Sequence, residues 1–274
     1  MDYRILVRGG GDLASGVIAR LHRAGWIVLV TELASPRAVR RYVSFAQAVY
    51  DGEIRVEDIT ARLVKNQSEA EQAISAGIVP VMEDLLAGAR EWFAPHVIID
   101  ARMRKQPGDL PLDAAPLMLG LGPGFTAGVD CHAVIETNRG PFLGRVIWQG
   151  QAQADTGIPE FVGTKGAERV LRAPVAGVVL ARAEIGAQVL AGEVLAEVDG
   201  AAVLAPFDGV LRGLVQSGLE VGAGEKIGDV DPRGDPRLSR LISDKALAIG
   251  GGVLEAVLAA PQLRQKRPLQ GLVE

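Results

Sequence analysis

Cysteine and histidine are scarce in this sequence of 274 residues, which contains one cysteine and three histidines. A single cysteine excludes an intramolecular disulfide framework and is typical of proteins in a reducing compartment. No CxxC or HExxH pattern accompanies the few histidines, so no metal site is predicted. Cys131 and His132 are adjacent, and in a strand their side chains would point to opposite faces, which favours a buried, unreactive thiol over a catalytic pair.

Long apolar runs and an excess of positive charge are also lacking. No apolar stretch approaches the roughly 20 residues that a membrane-spanning helix needs. The net charge of −4 gives no general affinity for nucleic acid or for anionic membranes. The first residues show none of the features of a signal peptide. We therefore expect a cytoplasmic protein that binds neither nucleic acid nor a membrane, and the sequence leaves its oligomeric state open.

The start of the chain predicts a strand, a glycine-rich turn, a helix and a second strand. Residues 5–7 and 26–30 are short apolar runs of the kind found in buried strands, with a helical pattern between them. The pattern Gly9-x-Gly11-x-x-Ala14 at the turn fits the dinucleotide-binding fingerprint, with alanine in the third place. This order of elements indicates a Rossmann-like start.

The glycine turn is the first candidate binding site. Glycines let backbone N–H groups approach a phosphate, and the helix N-terminus behind them carries partial positive charge. Glu32 lies 21 residues after Gly11, about where an acid that binds ribose is expected. The negative charge of Asp12 opposes phosphate binding, but an aspartate at this position could instead cap the helix. The alternative to a binding site is a glycine turn that serves only the close packing of strand and helix. The candidate cofactor-binding residues here are Gly9, Gly10, Gly11, Asp12, Ala14 and Glu32.

Strand-like and helical stretches then alternate, which predicts a mostly parallel sheet over residues 1–148. Ligands of such sheets bind beyond the carboxyl ends of the strands. The glycine turn, the segment 100–102 and the loop 122–124 are therefore expected to converge there. This convergence adds Arg102, Gly122 and Gly124 to the candidate binding residues.

A basic segment follows the second strand. Ser35-Pro36 offers a helix start, and Arg37, Arg40 and Arg41 would then share one side of that helix. Two interpretations stay open at this point: a clamp for an anionic ligand or partner, and a solvated basic face.

Residues 173–231 contain one pattern written twice at a spacing of 32 residues. The first copy includes Ala173-Pro174-x-x-Gly177-Val178, and the second includes Ala205-Pro206-x-x-Gly209-Val210. Each copy is too short to bury a core alone, so the two are expected to pack on each other.

This repeat resembles the biotinyl/lipoyl-like barrel-sandwich hybrid over residues 165–232. Members of that group that carry a cofactor present a lysine on the hairpin between the copies, and residues 197–202 contain none. Covalent biotin or lipoate is therefore not expected, and the module is expected to serve docking or spacing.

The C-terminal segment predicts one more helix. Ser243 can cap a helix that runs from residue 244 to about residue 258, and its interior contains Gly250-Gly251-Gly252. Glycines there cost stability unless a backbone or a ligand must come close. Residues 235–260 are expected to complete the first domain, which makes the repeat an insertion, and Ser243 and Lys245 could face the ligand cleft. The predicted fold is thus α/β, with a Rossmann-like, mostly parallel sheet and an inserted all-β barrel-sandwich module.

Five motifs together resemble the YqeB-like family, accessory proteins of the selenium-dependent molybdenum hydroxylase system. They are residues 8–16 (RGGGDLASG), Ser44-Phe45, residues 122–125 (GPGF), residues 131–137 (CHAVIET) and residues 242–252 (ISDKALAIGGG). The resemblance implies a factor that matures a molybdenum enzyme of the xanthine-dehydrogenase type. The implied partner is that hydroxylase or another maturation factor, and no catalytic residue is implied.

The ligand class expected at the turn is a nucleotide, NAD(P) or a molybdopterin-type cofactor. Two other functions stay open: an NAD(P)-dependent oxidoreductase and a scaffold that has lost its ligand. No Tyr-x-x-x-Lys pair of the short-chain reductase type is present to support the oxidoreductase.

Overall fold

A computed structural model describes residues 3–155, 157 and 161–263. The helices are α1 (Asp12–Arg23), α2 (Ala48–Asp51), α3 (Gln67–Ser75), α4 (Arg90–Phe93) and α5 (Asp244–Ala259). The strands up to the repeat are β1 (Arg4–Arg8), β2 (Ile27–Glu32), β3 (Glu53–Val56), β4 (Ile59–Val64), β5 (Val79–Glu83), β6 (Val97–Asp100), β7 (Leu117–Leu121), β8 (Thr126–Ala127), β9 (Ala133–Ile135), β10 (Val146–Ile147) and β11 (Gly150–Gln151). The later strands are β12 (Val170–Arg172), β13 (Gly177–Ala181), β14 (Gln188–Val189), β15 (Val194–Val198), β16 (Ala201–Leu204), β17 (Gly209–Leu214), β18 (Glu220–Val221) and β19 (Lys226–Asp231).

A nine-stranded sheet forms the centre of the molecule, in the order β10-β9-β7-β6-β1-β2-β5-β4-β3. The seven inner strands, from β9 to β4 in this order, run parallel to one another, and only the outermost pairs β10–β9 and β4–β3 are antiparallel. The predicted mostly parallel α/β sheet is therefore confirmed. Its inner order is that of doubly wound dinucleotide-binding sheets, which places a topological switch point between β1 and β6.

Buried aliphatic residues explain why β1 lies in the middle of the sheet. Ile5, Leu6 and Val7 are fully buried, so both faces of the strand are covered. Ile5 and Val7 pack into the apolar core on the side of α1 and α5, and Leu6 packs into the core on the opposite face. Such continuous apolar runs are typical of parallel strands that are covered on both faces.

Helix α5 returns to this sheet and packs directly on α1 through glycines. A Cβ atom on Gly16 would lie 2.1 Å from the carbonyl oxygen of Ala246, and one on Gly250 would lie 2.4 Å from the carbonyl oxygen of Gly16. The helix begins where the sequence predicts, because the Ser243 side chain accepts a hydrogen bond from the N–H of Ala246. Its glycines are thus required by a close backbone approach.

Residues 170–231 form a second unit, here called the antiparallel module. It contains two four-stranded sheets, β12-β19-β17-β14 and β16-β15-β13-β18, around its own apolar core. β14 of the first copy pairs with β17 of the second, and β18 of the second copy pairs with β13 of the first. The two copies therefore share sheets and pack on each other as predicted. Within the described residues these sheets stay separate and form no closed barrel.

The segment before α2 differs from the prediction. The expected helix after Ser35 is absent, and the first helical turn is a short 3₁₀ turn at Arg41–Val43. The segment packs on β17 so closely that a Cβ on Gly213 would lie 2.8 Å from the carbonyl oxygen of Val39. Tertiary contact with the module overrides the local helix signal.

The basic residues of this segment have roles that the sequence did not reveal. Arg37 donates to the carbonyl oxygen of Glu220 at 2.6 Å, and Nε of Arg41 donates to that of Leu214 at 2.8 Å. Both arginines therefore attach the antiparallel module to the large sheet, a role that neither of the two interpretations included.

No helix among the described residues has the length and apolar character needed to cross a membrane.

Two neighbouring glycines of α5 make a matched test of the helix contact. Gly250→Ala places a methyl group against the α1 backbone and should lower the free energy of unfolding by about 1–3 kcal/mol, the usual cost of overpacking. No atom lies within 4 Å of a Cβ on Gly251, so Gly251→Ala should raise it by about 0.5–1 kcal/mol. Urea unfolding measures both variants, and equal effects would contradict the contact.

Candidate functional site

A cleft of about 870 Å³ lies at the carboxyl ends of β1, β2 and β6, between the large sheet and the antiparallel module. Eight of the residues predicted from the sequence line it: Gly9, Gly11, Asp12, Ala14, Glu32, Arg102, Ser243 and Lys245. Gly10, Gly122 and Gly124 do not. The cleft thus coincides with the switch point of the sheet, where doubly wound folds bind their ligands.

The glycine turn is built by backbone contacts. Gly9 adopts a φ of +91° and its N–H donates to the carbonyl oxygen of Thr31 at 2.7 Å. Gly10 is covered, because a Cβ there would lie 2.8 Å from the nitrogen of Ala46. Gly11 has open space around its Cα. Gly9 and Gly10 therefore determine the shape of the turn, and Gly11 is the residue with open space on the side of the cleft.

Helix α1 starts at the cleft without a side-chain cap. Gly11 occupies the N-cap position and Asp12 is the first helical residue, so the expected capping by Asp12 is wrong. The carboxylate of Asp12 lies instead 3.7 Å from a terminal nitrogen of Arg40. The first N–H groups of a helix have no intrahelical acceptor, so this end of α1 offers donors and partial positive charge.

Glu32 braces the turn. One carboxylate oxygen accepts the N–H of Gly10 at 2.8 Å and the other accepts the N–H of Leu33 at 2.7 Å. Burial raises the pKa of Glu32, and these two hydrogen bonds oppose the rise. Each oxygen retains a second lone pair, so the carboxylate can still accept a hydroxyl from a ligand in the cleft.

An ion network fills the floor of the cleft between β1 and β6. Arg8 is only 2% exposed and contacts Asp109 at 2.5 Å. Arg102 pairs with Asp100 and, at 2.8 Å, with Asp109, which Arg104 also contacts at 2.7 Å. Arg102 and Arg8 hold the pKa of Asp109 well below its usual range. Arg102 therefore reaches the cleft with its charge already compensated.

The loop after β7 supports this network from behind. A Cβ on Gly124 would lie 2.4 Å from the nitrogen of Gln106, and one on Gly122 would lie 2.5 Å from Oγ1 of Thr137. The two glycines were expected at the ligand, but the structure places them under residues 103–106, which cover the end of β7. Close packing therefore explains why glycine occupies both positions.

The antiparallel module forms the opposite wall of the cleft. Arg169, Arg212, Lys226 and Asp229 come from it, and Arg40 lies beside them. Arg169 pairs with Asp229, and Nζ of Lys226 lies 3.8 Å from the same carboxylate. The sequence analysis considered Arg40 as part of a possible anion clamp, and it did not select Arg169, Arg212, Lys226 or Asp229.

A comparison of the two repeat copies contains a signal for this wall. Arg212 and Lys226 correspond to Leu180 and Val194 at the spacing of 32 residues. Leu180 and Val194 are 45% and 40% exposed on the module surface. The second copy therefore departs from the repeat by placing cations where it faces the cleft.

Positive charge exceeds negative charge around the cleft. Among its described lining residues, ten are cationic and five are acidic, in a chain of net charge −4. The cations are Arg8, Arg37, Arg40, Arg102, Arg104, Arg139, Arg169, Arg212, Lys226 and Lys245, and the acids are Asp12, Glu32, Asp84, Asp109 and Asp229. Five of these cations also lie within ion-pair distance of carboxylates just outside the lining, namely Asp100, Glu225, Asp231 and Asp244. The net excess is therefore smaller than the count of lining residues, and it would concentrate anions from solution.

Comparison of the sequence with known proteins identifies a related sequence. No protein-family model matches the chain. The chain is 46% identical over 254 residues to the uncharacterized protein YqeB of Escherichia coli K12, a match that covers 93% of this chain and 47% of that protein. The match supports a YqeB-like family. The chain spans about half the length of this curated relative.

Solved structures give weaker likenesses. An aspartoacylase family protein of Mesorhizobium loti matches with a TM-score of 0.28 and 12% identity, over 84% of this chain and 85% of that one. A succinylglutamate desuccinylase/aspartoacylase of Rhodobacter sphaeroides matches with a TM-score of 0.25 and 16% identity, over the same shares. Scores this low carry no argument about the fold or the function.

The expectations about a metal site and about Cys131 concern acidic, histidine and cysteine side chains. No cluster of three or more His, Cys, Asp or Glu side chains that could hold a metal ion occurs in the part of the chain that the structure describes. Cys131 lies away from the cleft, and burial raises the pKa of its thiol to about 12. The predicted buried thiol is confirmed.

Cys131 should resist thiol reagents in the folded protein. The thiolate is the reactive form, and a pKa of about 12 leaves almost none of it at pH 8. We expect an aromatic disulfide reagent at pH 8 to label Cys131 only as fast as the protein opens, and fully in 6 M guanidinium. Complete labelling within seconds under native conditions would contradict this environment.

Proposed function

We propose that the cleft binds a phosphate-bearing nucleotide or cofactor, and that the protein is a cytoplasmic accessory factor in the maturation of a molybdenum hydroxylase. One observation carries the binding proposal: the uncapped N-terminus of α1 opens at the switch point of the sheet and faces a wall with an excess of positive charge. A helix N-terminus with free N–H groups favours phosphate and other anions.

The electrostatics of the cleft support an anionic ligand. Asp12 is the one acid at the helix start, and Arg40 lies 3.7 Å from it. The remaining cations of the cleft exceed the remaining acids. A phosphate group placed at Gly11 therefore meets a net positive field, although the chain as a whole is acidic.

The size and polarity of the cleft support a nucleotide-sized ligand. Its volume of about 870 Å³ lies within the range of roughly 300–1,000 Å³ usual for small-molecule sites. Leu13, Leu33 and Met103 add apolar surface beside the turn. Glu32 offers acceptor capacity at the end of β2, where doubly wound folds bind a ribose hydroxyl.

The proposed maturation role rests on the resemblance of this sequence to the YqeB-like family. The YqeB-like family, in the resemblance that the motifs carry, comprises accessory proteins of the selenium-dependent molybdenum hydroxylase system. A molybdopterin-type cofactor bears a phosphate, which makes it a ligand that suits this cleft. The proposed partner is the hydroxylase or another maturation factor.

The antiparallel module fits a docking role within this proposal. Its twofold repeat resembles the biotinyl/lipoyl-like module, but the hairpin of β15 and β16 contains no lysine for a covalent cofactor. Because the module also forms one wall of the cleft, its contact with a partner would lie next to the bound ligand.

Nothing specific favours an oxidoreductase. No tyrosine or histidine occurs among the described residues that line the cleft, and no arrangement of its lysines and carboxylates points to proton transfer to a carbonyl substrate.

Thermal unfolding in the presence of candidate ligands tests the binding. A ligand at 100 times its Kd adds about 2.7 kcal/mol of stability, which should raise Tm by about 5 °C or more in a chain of this size. The panel contains ADP, NAD⁺, NADP⁺ and a molybdopterin-type compound. We expect at least one of these to raise Tm.

Gly11→Val locates the binding at the turn. Gly11 has a φ of −64° and no atom within 4 Å of an added Cβ, so the variant should fold with a loss of about 1 kcal/mol or less. Its side chain would occupy the phosphate position and remove the ligand-induced rise in Tm. Gly251→Ala serves as the control because Gly251 lies outside the cleft. A panel without effect on the wild type, or an equal rise in Gly11→Val, would refute the proposal.

A further inference from the structure

Arg212 is a largely buried cation without a hydrogen bond. Its side chain is 12% exposed, and its nearest ionic contact is an oxygen of Asp231, 3.8 Å from Nε. No described residue accepts a hydrogen bond from this guanidinium, and Nε is enclosed without an acceptor. Arg212 nevertheless lines the cleft. A charge withdrawn from water in this way is costly unless something pairs with it.

Arg40 lies at the same wall and is also incompletely paired. Its side chain is 7% exposed, and one terminal nitrogen donates to the carbonyl oxygens of Leu238 and Leu241. Nε has no acceptor. Loss of hydration, and then the positive charge of Arg212, lower the pKa of Arg40 to about 10. The positive charge of Arg212 therefore disfavours the charged form of Arg40, and the carboxylates of Asp12, Asp229 and Asp231 oppose that effect.

The nearby acids are already engaged by other cations. Arg233 binds Asp231 through two contacts, at 2.9 and 2.6 Å, and Arg169 pairs with Asp229. Asp12 lies 3.7 Å from Arg40 and also interacts electrostatically with Lys226. The protein thus supplies no carboxylate that satisfies both Arg40 and Arg212.

We infer that Arg40 and Arg212 form a second phosphate subsite opposite the glycine turn, so that the cleft takes a ligand with two linked phosphoryl groups. One phosphoryl group would lie on the N-terminus of α1, and the other would lie between the two guanidinium groups. The first half of this statement rests on the proposed function, and the second half stands on the arginines themselves.

A diphosphate suits two neighbouring subsites of this chemistry. Asp12 is the first residue of α1 and also contacts Arg40, so the two subsites are neighbours. Guanidinium groups bind phosphate oxygens through directed, charge-assisted hydrogen bonds. A phosphoryl group between them would supply the missing acceptors and oppose the effect of Arg212 on Arg40.

The repeat indicates that Arg212 is not needed for folding. Its counterpart in the first copy is Leu180, so the same strand position accepts leucine. Arg212→Leu should therefore fold, and without ligand its Tm should equal or exceed that of the wild type because the positive charge that disfavours charged Arg40 is removed. A large fall in Tm would assign Arg212 a structural role and overturn the inference.

Calorimetric titration with inorganic pyrophosphate and with orthophosphate tests the subsite. We expect the wild type to bind pyrophosphate at least about tenfold more tightly than orthophosphate, since only pyrophosphate reaches both subsites. Arg212→Leu should weaken pyrophosphate at least about tenfold and leave orthophosphate within about threefold. Arg212→Lys, which keeps the charge but not the two-pronged geometry, should lie between them.

Arg182→Gln is the matched control, because Arg182 belongs to the module, pairs with Glu197 and lies outside the cleft. It should bind both anions like the wild type. Unchanged pyrophosphate binding in Arg212→Leu overturns the inference, as does a wild type that binds neither anion.

Gly11→Val separates this inference from the proposed function. If Gly11→Val loses both anions while Arg212→Leu keeps pyrophosphate, the glycine turn stands and the second subsite fails. If Arg212→Leu loses pyrophosphate while Gly11→Val keeps it, the arginine subsite stands and the turn, with the proposed function, fails.

Discussion

The backbone of α1 lies directly against the backbone of α5, and the rest of the structure depends on this contact. Gly16 and Gly250 allow it, since a Cβ on either residue would collide with the opposite helix. The contact closes the fold, because α5 follows the antiparallel module in sequence and packs on the first helix of the chain. It also carries Ser243 and Lys245 to the cleft. A cleft assembled from distant parts of the chain thus depends on two glycines.

The cleft itself results from attaching the antiparallel module to the large sheet. Arg37 and Arg41 donate hydrogen bonds to carbonyl oxygens of the module, and close packing at Gly213 fixes the distance. The large sheet contributes a helix N-terminus and a braced glycine turn, and the module contributes cations. The proposed preference for an anionic ligand depends on both walls, since one contributes backbone N–H groups and the other contributes positive charge.

Local patterns made some of this structure predictable. The glycine turn, the cap at Ser243 and the buried Cys131 each follow from short-range rules, and all three agree with the structure. The segment after Ser35 did not become a helix because contacts with β17, distant in sequence, outweigh its local preference. Gly122 and Gly124 are needed for close packing beside the cleft. A glycine-rich loop of this kind can serve either packing or phosphate binding, so the sequence alone did not distinguish the two.

The cationic wall escaped prediction for a different reason. Arg212 and Lys226 occupy ordinary strand positions, and only the docking of the module turns them towards the glycine turn. The difference between the two repeat copies was the available signal, because leucine and valine occupy the same places in the first copy. A charge that interrupts an otherwise apolar repeat position indicates a functional requirement there, since the fold does not need it.

A crystal structure grown with saturating ADP would test the central claim most directly. The account predicts ordered diphosphate density between the backbone amides that follow Gly11 and the guanidinium groups of Arg40 and Arg212, with the ribose near Glu32. An empty cleft at saturating ADP, or a nucleotide ordered elsewhere on the molecule, would contradict it.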